Sequence, residues 1–184
     1  MSDPKNDVSS VDFQTNGKLV ENGVTVTEQS NIDQLSSRGY GVIENKFLTL
    51  AFFEALYLQD KGMLTVKDDK NTLVTFQMVL RSYQTVDENA WVNYLVYRDL
   101  RSRGYVVREG FGVGTEFRVY ERGAYGKDSA SYMVLGIQEG KPLGIDFLAD
   151  ILQQCQNQKK DLVLAVMNRR GEIVYYSVSP LTFK

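Results

Sequence analysis

Apolar residues recur along this chain at two spacings, one close to every second position and one close to every third or fourth. GVTVTE (23–28) reads as a strand, and QSNIDQLSSRGYG (29–41) as a short helix closed by Gly39 and Gly41. LTLAFFEALYLQDKG (48–62) predicts a longer helix: Thr49 can cap it, Leu50, Phe53, Ala55 and Leu56 line its apolar side, and Gly62 stops it. MLTVKD (63–68) is a strand, and TFQMVLRSYQTV (75–86) is a helix with Thr75 at its start. These elements make a small α+β unit.

In ENAWVNYLVYRDLRSRG (88–104), Val92, Leu95, Val96 and Leu100 recur at helical spacing before Gly104 stops the helix. YVVREG, TEFRVYERG and SYMVLGIQEG follow as three strands separated by glycine turns. IDFLADILQQCQNQKK (145–160) is a helix, and LVLAVM (162–167) is apolar enough for a buried strand. NRRG turns the chain into EIVYYSVS (172–179), whose alternation marks a half-buried strand. The second unit is therefore α-β-β-β-α-β-β. The expected organisation is an irregular tail over 1–22, a first domain over 23–86 and a second over 87–184, joined at a helix junction.

Composition narrows the chemistry. The 184 residues are 43% hydrophobic and 24% charged, as in ordinary globular proteins, and no apolar run is long enough for a membrane span. The polar start MSDPKNDVSS has no signal core, which predicts a cytoplasmic protein with a disordered tail. Cys155 is the single cysteine, so no internal disulfide forms. There is no histidine, which removes Cys/His zinc sites and histidine-activated nucleophiles. A net charge of −2 and a pI near 5.3 suit a stand-alone nucleic-acid binder poorly. Basic residues gather from Arg98 to Lys127, where either a basic face or a solvated surface would explain them.

Few residues offer chemistry. A metal nuclease would need converging carboxylates, yet Glu116 and Glu121 fall on opposite faces of one strand. GFGVGT (110–115) opens a strand rather than a helix and reads as a turn, not a phosphate loop. Tyr120 lies late in a charged strand and Lys160 ends a helix. Taken singly, the first suggests packing and the second a cation complementing the helix dipole.

The stretches LSSRGYG, LTLAFFEALYL, YLVYRDLRSRGYVV, GTEFRVYERG and GEIVYY together resemble archaeal tRNA-splicing endonuclease subunits over roughly residues 23–179. The resemblance implies a small N-terminal α+β domain before a restriction-endonuclease-like α/β C-terminal domain with a mixed sheet. It also implies metal- and cofactor-free cleavage of precursor tRNA at a bulge-helix-bulge. The RNA's 2′-hydroxyl attacks the adjacent phosphate and leaves 2′,3′-cyclic phosphate and 5′-hydroxyl ends. Tyr120 matches the family's base and Lys160 its phosphate-stabilising cation, which a developing negative charge requires. The histidine slot falls on Ser129 or Ala130, neither of which can protonate the leaving oxygen. Gln153, seven residues before Lys160, occupies the slot of an arginine that clamps a flipped base, and Arg118 and Arg122 are further RNA-binding candidates. The family's acidic loop between the last two strands is basic here, with Arg169 and Arg170 in MNRRGE (167–172).

The changes at the histidine and arginine slots lead to one expectation, although the basic loop points the other way, since the structural partner usually supplies the acidic one: a non-catalytic, structural subunit paired with a histidine-bearing catalytic chain, two of each, with a dimer contact through strand 172–179. Two alternatives stay open: the catalytic subunit with its histidine replaced, most simply at Ala130, and an RNA-binding assembly module.

Overall fold

Strand alternation builds two sheets, and the helices between them supply a shared apolar core. The computed structural model describes residues 13–110 and 117–181. The first half contributes β1 (Thr15–Val20), β2 (Gly23–Val26), β3 (Val42–Glu44), β4 (Phe47–Leu50), β5 (Leu64–Lys67) and β6 (Leu73–Val74). They form a sheet in the order β3-β4-β2-β1-β5-β6, with helices α1 (Gln29–Ser37), α2 (Phe52–Asp60) and α3 (Phe76–Val86). The second half runs α4 (Ala90–Ser102), β7 (Val106–Glu109), β8 (Phe117–Tyr120), β9 (Tyr132–Gln138), α5 (Ile145–Asn157), β10 (Asp161–Met167) and β11 (Ile173–Val178). Its sheet order is β11-β10-β9-β8-β7; β9 and β10 are parallel and the other neighbours antiparallel. The α+β class, the mixed sheet and the α-β-β-β-α-β-β succession all match the sequence reading.

Three expectations are corrected. The tail expected over 1–22 is not irregular throughout, because Thr15–Val20 form β1, an interior strand between β2 and β5. Its inward positions Thr15 and Gly17 are small, so no apolar alternation betrays them; a Cβ on Gly17 would stand 2.4 Å from Val24 Cγ1. Thr49 does not cap the second helix. It lies in β4 opposite Thr25 and Val42, and α2 begins only at Phe52. The run 48–62 therefore divides, because Leu48 and Leu50 alternate with Thr49 and serve the sheet core before the helix starts. The sequence reading also passed over β3 and β6, which are too short to show a period. The GFGVGT turn and Glu116 lie, apart from Gly110, outside the described residues.

Thr75 caps α3 as expected, accepting from the Met78 amide. The glycine stops also hold. At the ends of α1, α2 and α4, Gly39, Gly62 and Gly104 adopt φ values of 77°, 70° and 85°. In α1 the Tyr40 amide returns to the Leu35 carbonyl and the Gly39 amide to Ser36, which is the Schellman pattern, and α2 and α4 repeat it.

One core cluster runs through both halves, from Val24 and Leu50 through Phe53 and Leu56 to Val96, Phe117 and Ala165. Helix α2 carries it. Phe52 to Leu58 are all buried, and the Phe53 ring meets the Tyr97 and Phe117 rings at centroid distances of 4.9 and 5.1 Å. Within this buried stretch sits one charge, Glu54, only 3% exposed. Its carboxylate accepts from the Gly41 amide at 3.1 Å and the Ala51 amide at 2.9 Å, and it lies 3.5 Å from the Arg108 guanidinium of β7. Burial raises its pKa, against the opposing pull of Arg108 and the amides. Arg108 also donates to the Gly39 carbonyl at 3.0 Å, and Arg101 of α4 donates to the Arg38 carbonyl at 3.2 Å.

Glu54→Gln removes the charge facing Arg108 and sets an amide donor against backbone donors. It should lower unfolding stability by about 3 kcal/mol, read by urea denaturation. In that background Arg108→Ala should cost clearly less than it does alone.

Candidate active site

The register of the second sheet brings the candidate residues to one end. Val119 pairs with Tyr132, and Tyr132 pairs with Asp161. One step further, Tyr120 ends β8, Ser131 precedes β9 and Lys160 precedes β10. Backbone bonds confirm the row, with the Ser131 amide donating to the Val119 carbonyl and the Asp161 amide to the Ser131 carbonyl, both at 3.0 Å. Tyr120 and Lys160 thus flank Ser131 on neighbouring strands, with backbones roughly 10 Å apart, or two strand spacings. The parallel pairing of β9 with β10 is what sets the start of β10 beside the start of β9.

Lys160 is half-buried, and its ammonium donates to the Ala130 carbonyl at 3.1 Å. Its backbone is set by the end of α5. The Lys160 amide returns to the Cys155 carbonyl and the Lys159 amide to Gln156, both at 2.9 Å, as in the other Schellman turns. Here, however, the left-handed position holds Lys159, at φ 55°, instead of glycine.

Of the two positions offered for the histidine slot, Ser129 is exposed and Ala130 is buried at 4%. Nearby, the Tyr132 hydroxyl donates to the Glu121 carboxylate at 2.6 Å, a bond that raises the phenol's pKa. Gln153 is exposed on α5 and donates to Asn157 at 3.1 Å. Arg118 donates to the Glu109 carbonyl at 2.8 Å, and burial pushes its pKa down. The Arg122 guanidinium stands 5.4 Å from the centre of the Tyr105 ring.

Part of the basic run from Arg98 to Lys127 is engaged inside the protein, while Arg98, Arg103, Arg122 and Lys127 are exposed. Arg101 lies over the Tyr40 ring at 4.0 Å, Arg103 pairs with Asp99 at 2.7 Å, and Arg108 serves Glu54. At the opposite end of the sheet, Asn168 organises the 168–170 turn by accepting from the Arg170 and Glu172 amides, and Arg169 and Arg170 are exposed. On the edge strand β11, Val174 and Tyr176 expose 46% and 54% of their surface.

A cleft of about 940 Å³ lies elsewhere, between Val20 and Thr25 of the first sheet and Asp87, Asn93 and Arg108. None of Tyr120, Ser129, Ala130, Gln153 and Lys160 lines it. Among the described residues, no three His, Cys, Asp or Glu side chains stand together as a metal site, and no helix is long and apolar enough to cross a membrane.

Sequence reasoning passed over Tyr125, whose ring meets the Tyr120 ring edge-on at 5.1 Å. Its only signal was an aromatic residue between Gly123 and Gly126 in an otherwise polar loop.

Comparison with known proteins agrees with this architecture. Residues 15–80 match the tRNA intron endonuclease N-terminal domain, and residues 90–175 match the tRNA intron endonuclease catalytic C-terminal domain. The chain belongs to the tRNA intron endonuclease family. A tRNA-splicing endonuclease of Methanococcus vannielii is 32% identical over 164 residues, covering 89% of this chain and 93% of that one. One from Pyrococcus furiosus is 37% identical over 148 residues, covering 80% and 85%. One from Methanothermobacter thermautotrophicus is 32% identical over 169 residues, covering 90% and 97%.

Lys159→Gly removes the left-handed strain beside Lys160 and should stabilise the fold by about 1 kcal/mol, read by chemical denaturation. An unchanged midpoint would mean that the lysine side chain compensates the strain.

Proposed function

We propose that this chain is the non-catalytic, structural subunit of a heteromeric tRNA-splicing endonuclease that removes introns from precursor tRNA at bulge-helix-bulge motifs. The observation that carries the reading is the composition of the row around Ser131. Tyr120 and Lys160 stand in it as base and cation, while the neighbouring histidine slot holds Ser129 and Ala130. A hydroxyl and a methyl group cannot protonate the leaving 5′-oxygen near neutral pH, and a missing general acid costs about 10²–10⁴ in rate. Lys160 directs its ammonium at the Ala130 carbonyl. Gln153, in the clamp slot, has neither the charge nor the plane of an arginine.

A histidine-bearing catalytic chain then supplies cleavage, in an assembly of two of each. The exposed Val174 and Tyr176 on edge strand β11 suit a contact through residues 172–179, since an unpaired edge with apolar side chains favours strand pairing. This placement is cytoplasmic and requires no cofactor.

A second reading, the catalytic subunit itself with its histidine replaced, is favoured by the retention of Tyr120 and Lys160 in one row. A cleavage assay on a precursor tRNA with a bulge-helix-bulge separates the two. In the structural-subunit reading the chain alone does not cut, a mixture with a histidine-bearing relative does, and Ser129→His leaves the mixture's rate unchanged. In the second, Ser129→His or Ala130→His alone restores about 10²–10⁴ in rate. Cutting by the unaltered chain alone would refute both.

A further inference from the structure

We infer that Tyr125 is a positioning residue through which the N-terminal half of the chain fixes the Tyr120 ring. The inference rests on Tyr120 belonging to the site proposed above, but not on whether this chain cuts RNA.

The loop from Glu121 to Ser131 joins β8 to β9, and so links the end of the Tyr120 strand to the histidine slot. A tight turn shapes it, with the Ala124 amide donating to the Glu121 carbonyl and the Lys127 and Asp128 amides to Ala124. Three aromatic contacts then pin it. Arg122 lies over Tyr105, and Tyr132 donates to Glu121; both partners belong to the C-terminal half. The third contact is different. Tyr125 meets Tyr120 at an interplanar angle of 89°, and it also lies beside Gly39, in the turn that ends α1.

Gly39 leaves room for that ring. A Cβ there would stand 3.3 Å from Tyr125 Cε1 and 2.5 Å from Val106 Cγ1, and its φ of 77° is one that few other residues adopt. Val106 is paired with Tyr120 across β7 and β8, so the Gly39 turn lies against both Tyr125 and the residue paired with Tyr120. The turn is also held firmly. Arg108 binds the Gly39 carbonyl, Arg101 the Arg38 carbonyl, and Glu54 the Gly41 amide. A rigid seat on one half of the molecule therefore supports Tyr125, and Tyr125 supports Tyr120. Edge-to-face ring pairs have a preferred geometry, so the contact orients the ring as well as covering it.

The test reads Tyr120 mobility and needs no cleavage, so it can fail independently of the functional proposal. The full chain is labelled with 3-fluorotyrosine, and the Tyr120 resonance is assigned by its loss in Tyr120→Phe. Fluorine relaxation then reports ring motion, which a simple ring-current change from deleting Tyr125 would not alter. Tyr125→Ala should free the Tyr120 ring, and Tyr125→Phe should keep it as rigid as in the unaltered chain. Gly39→Ala should loosen Tyr120 when Tyr125 is present and add nothing once Tyr125 is alanine. The remaining tyrosine resonances report whether each variant is folded. If Gly39→Ala does not fold, the contrast between alanine and phenylalanine at position 125 decides alone. A Tyr120 ring equally rigid in folded Tyr125→Ala overturns the inference.

Discussion

A single buried carboxylate holds the two halves of this molecule in register. Glu54 sits within the buried Phe52–Leu58 stretch of α2, where a charge is tolerated only if its oxygens are occupied. They are occupied from two directions. The Gly41 and Ala51 amides come from the first half, and the Arg108 guanidinium comes from the first strand of the second half. Removing either partner leaves the other buried and uncompensated, so the pair specifies one docking geometry whatever its net contribution to stability. The aromatic contacts of Phe53 with Tyr97 and Phe117 follow from that geometry.

The candidate site depends on the same arrangement at one remove. Arg108 holds the Gly39 turn, the turn abuts Val106 and Tyr125, and these border Tyr120. Lys160 arrives independently, through a helix end closed by a strained lysine and a strand that runs parallel to β9. The row around Ser131 therefore draws on three separate chain segments. Backbone hydrogen bonds set the register of the row, from Ser131 to Val119 and from Asp161 to Ser131.

Much of the fold was legible because its signals are local. Gly39, Gly62 and Gly104 stop their helices where a left-handed residue is required, and Thr75 starts α3. The elements that escaped were those without a period of their own. β1 buries Thr15 and Gly17, which no hydrophobicity pattern marks, and β3 and β6 are too short to alternate. Thr49 misled because a threonine before an apolar run suits a cap and a strand equally. The resemblance to the family named Tyr120 and Lys160, while Tyr125 lay in a loop where nothing in the local sequence asked for an aromatic partner.

The sequence by itself determined the class of fold, the α-β-β-β-α-β-β order, the membership that its motifs suggested, and the absence of any histidine to act as general acid. These depend on residue identity and short-range spacing, which a chain carries whether or not it is folded. Only the tertiary structure decided that Arg101 and Arg108 serve interior contacts. It alone placed Tyr120 and Lys160 in one row and set the Gly39 turn against Tyr125. Those facts depend on which strands pair, and in which register. That pairing is settled by burial of the whole core around Glu54 and not by any segment read alone.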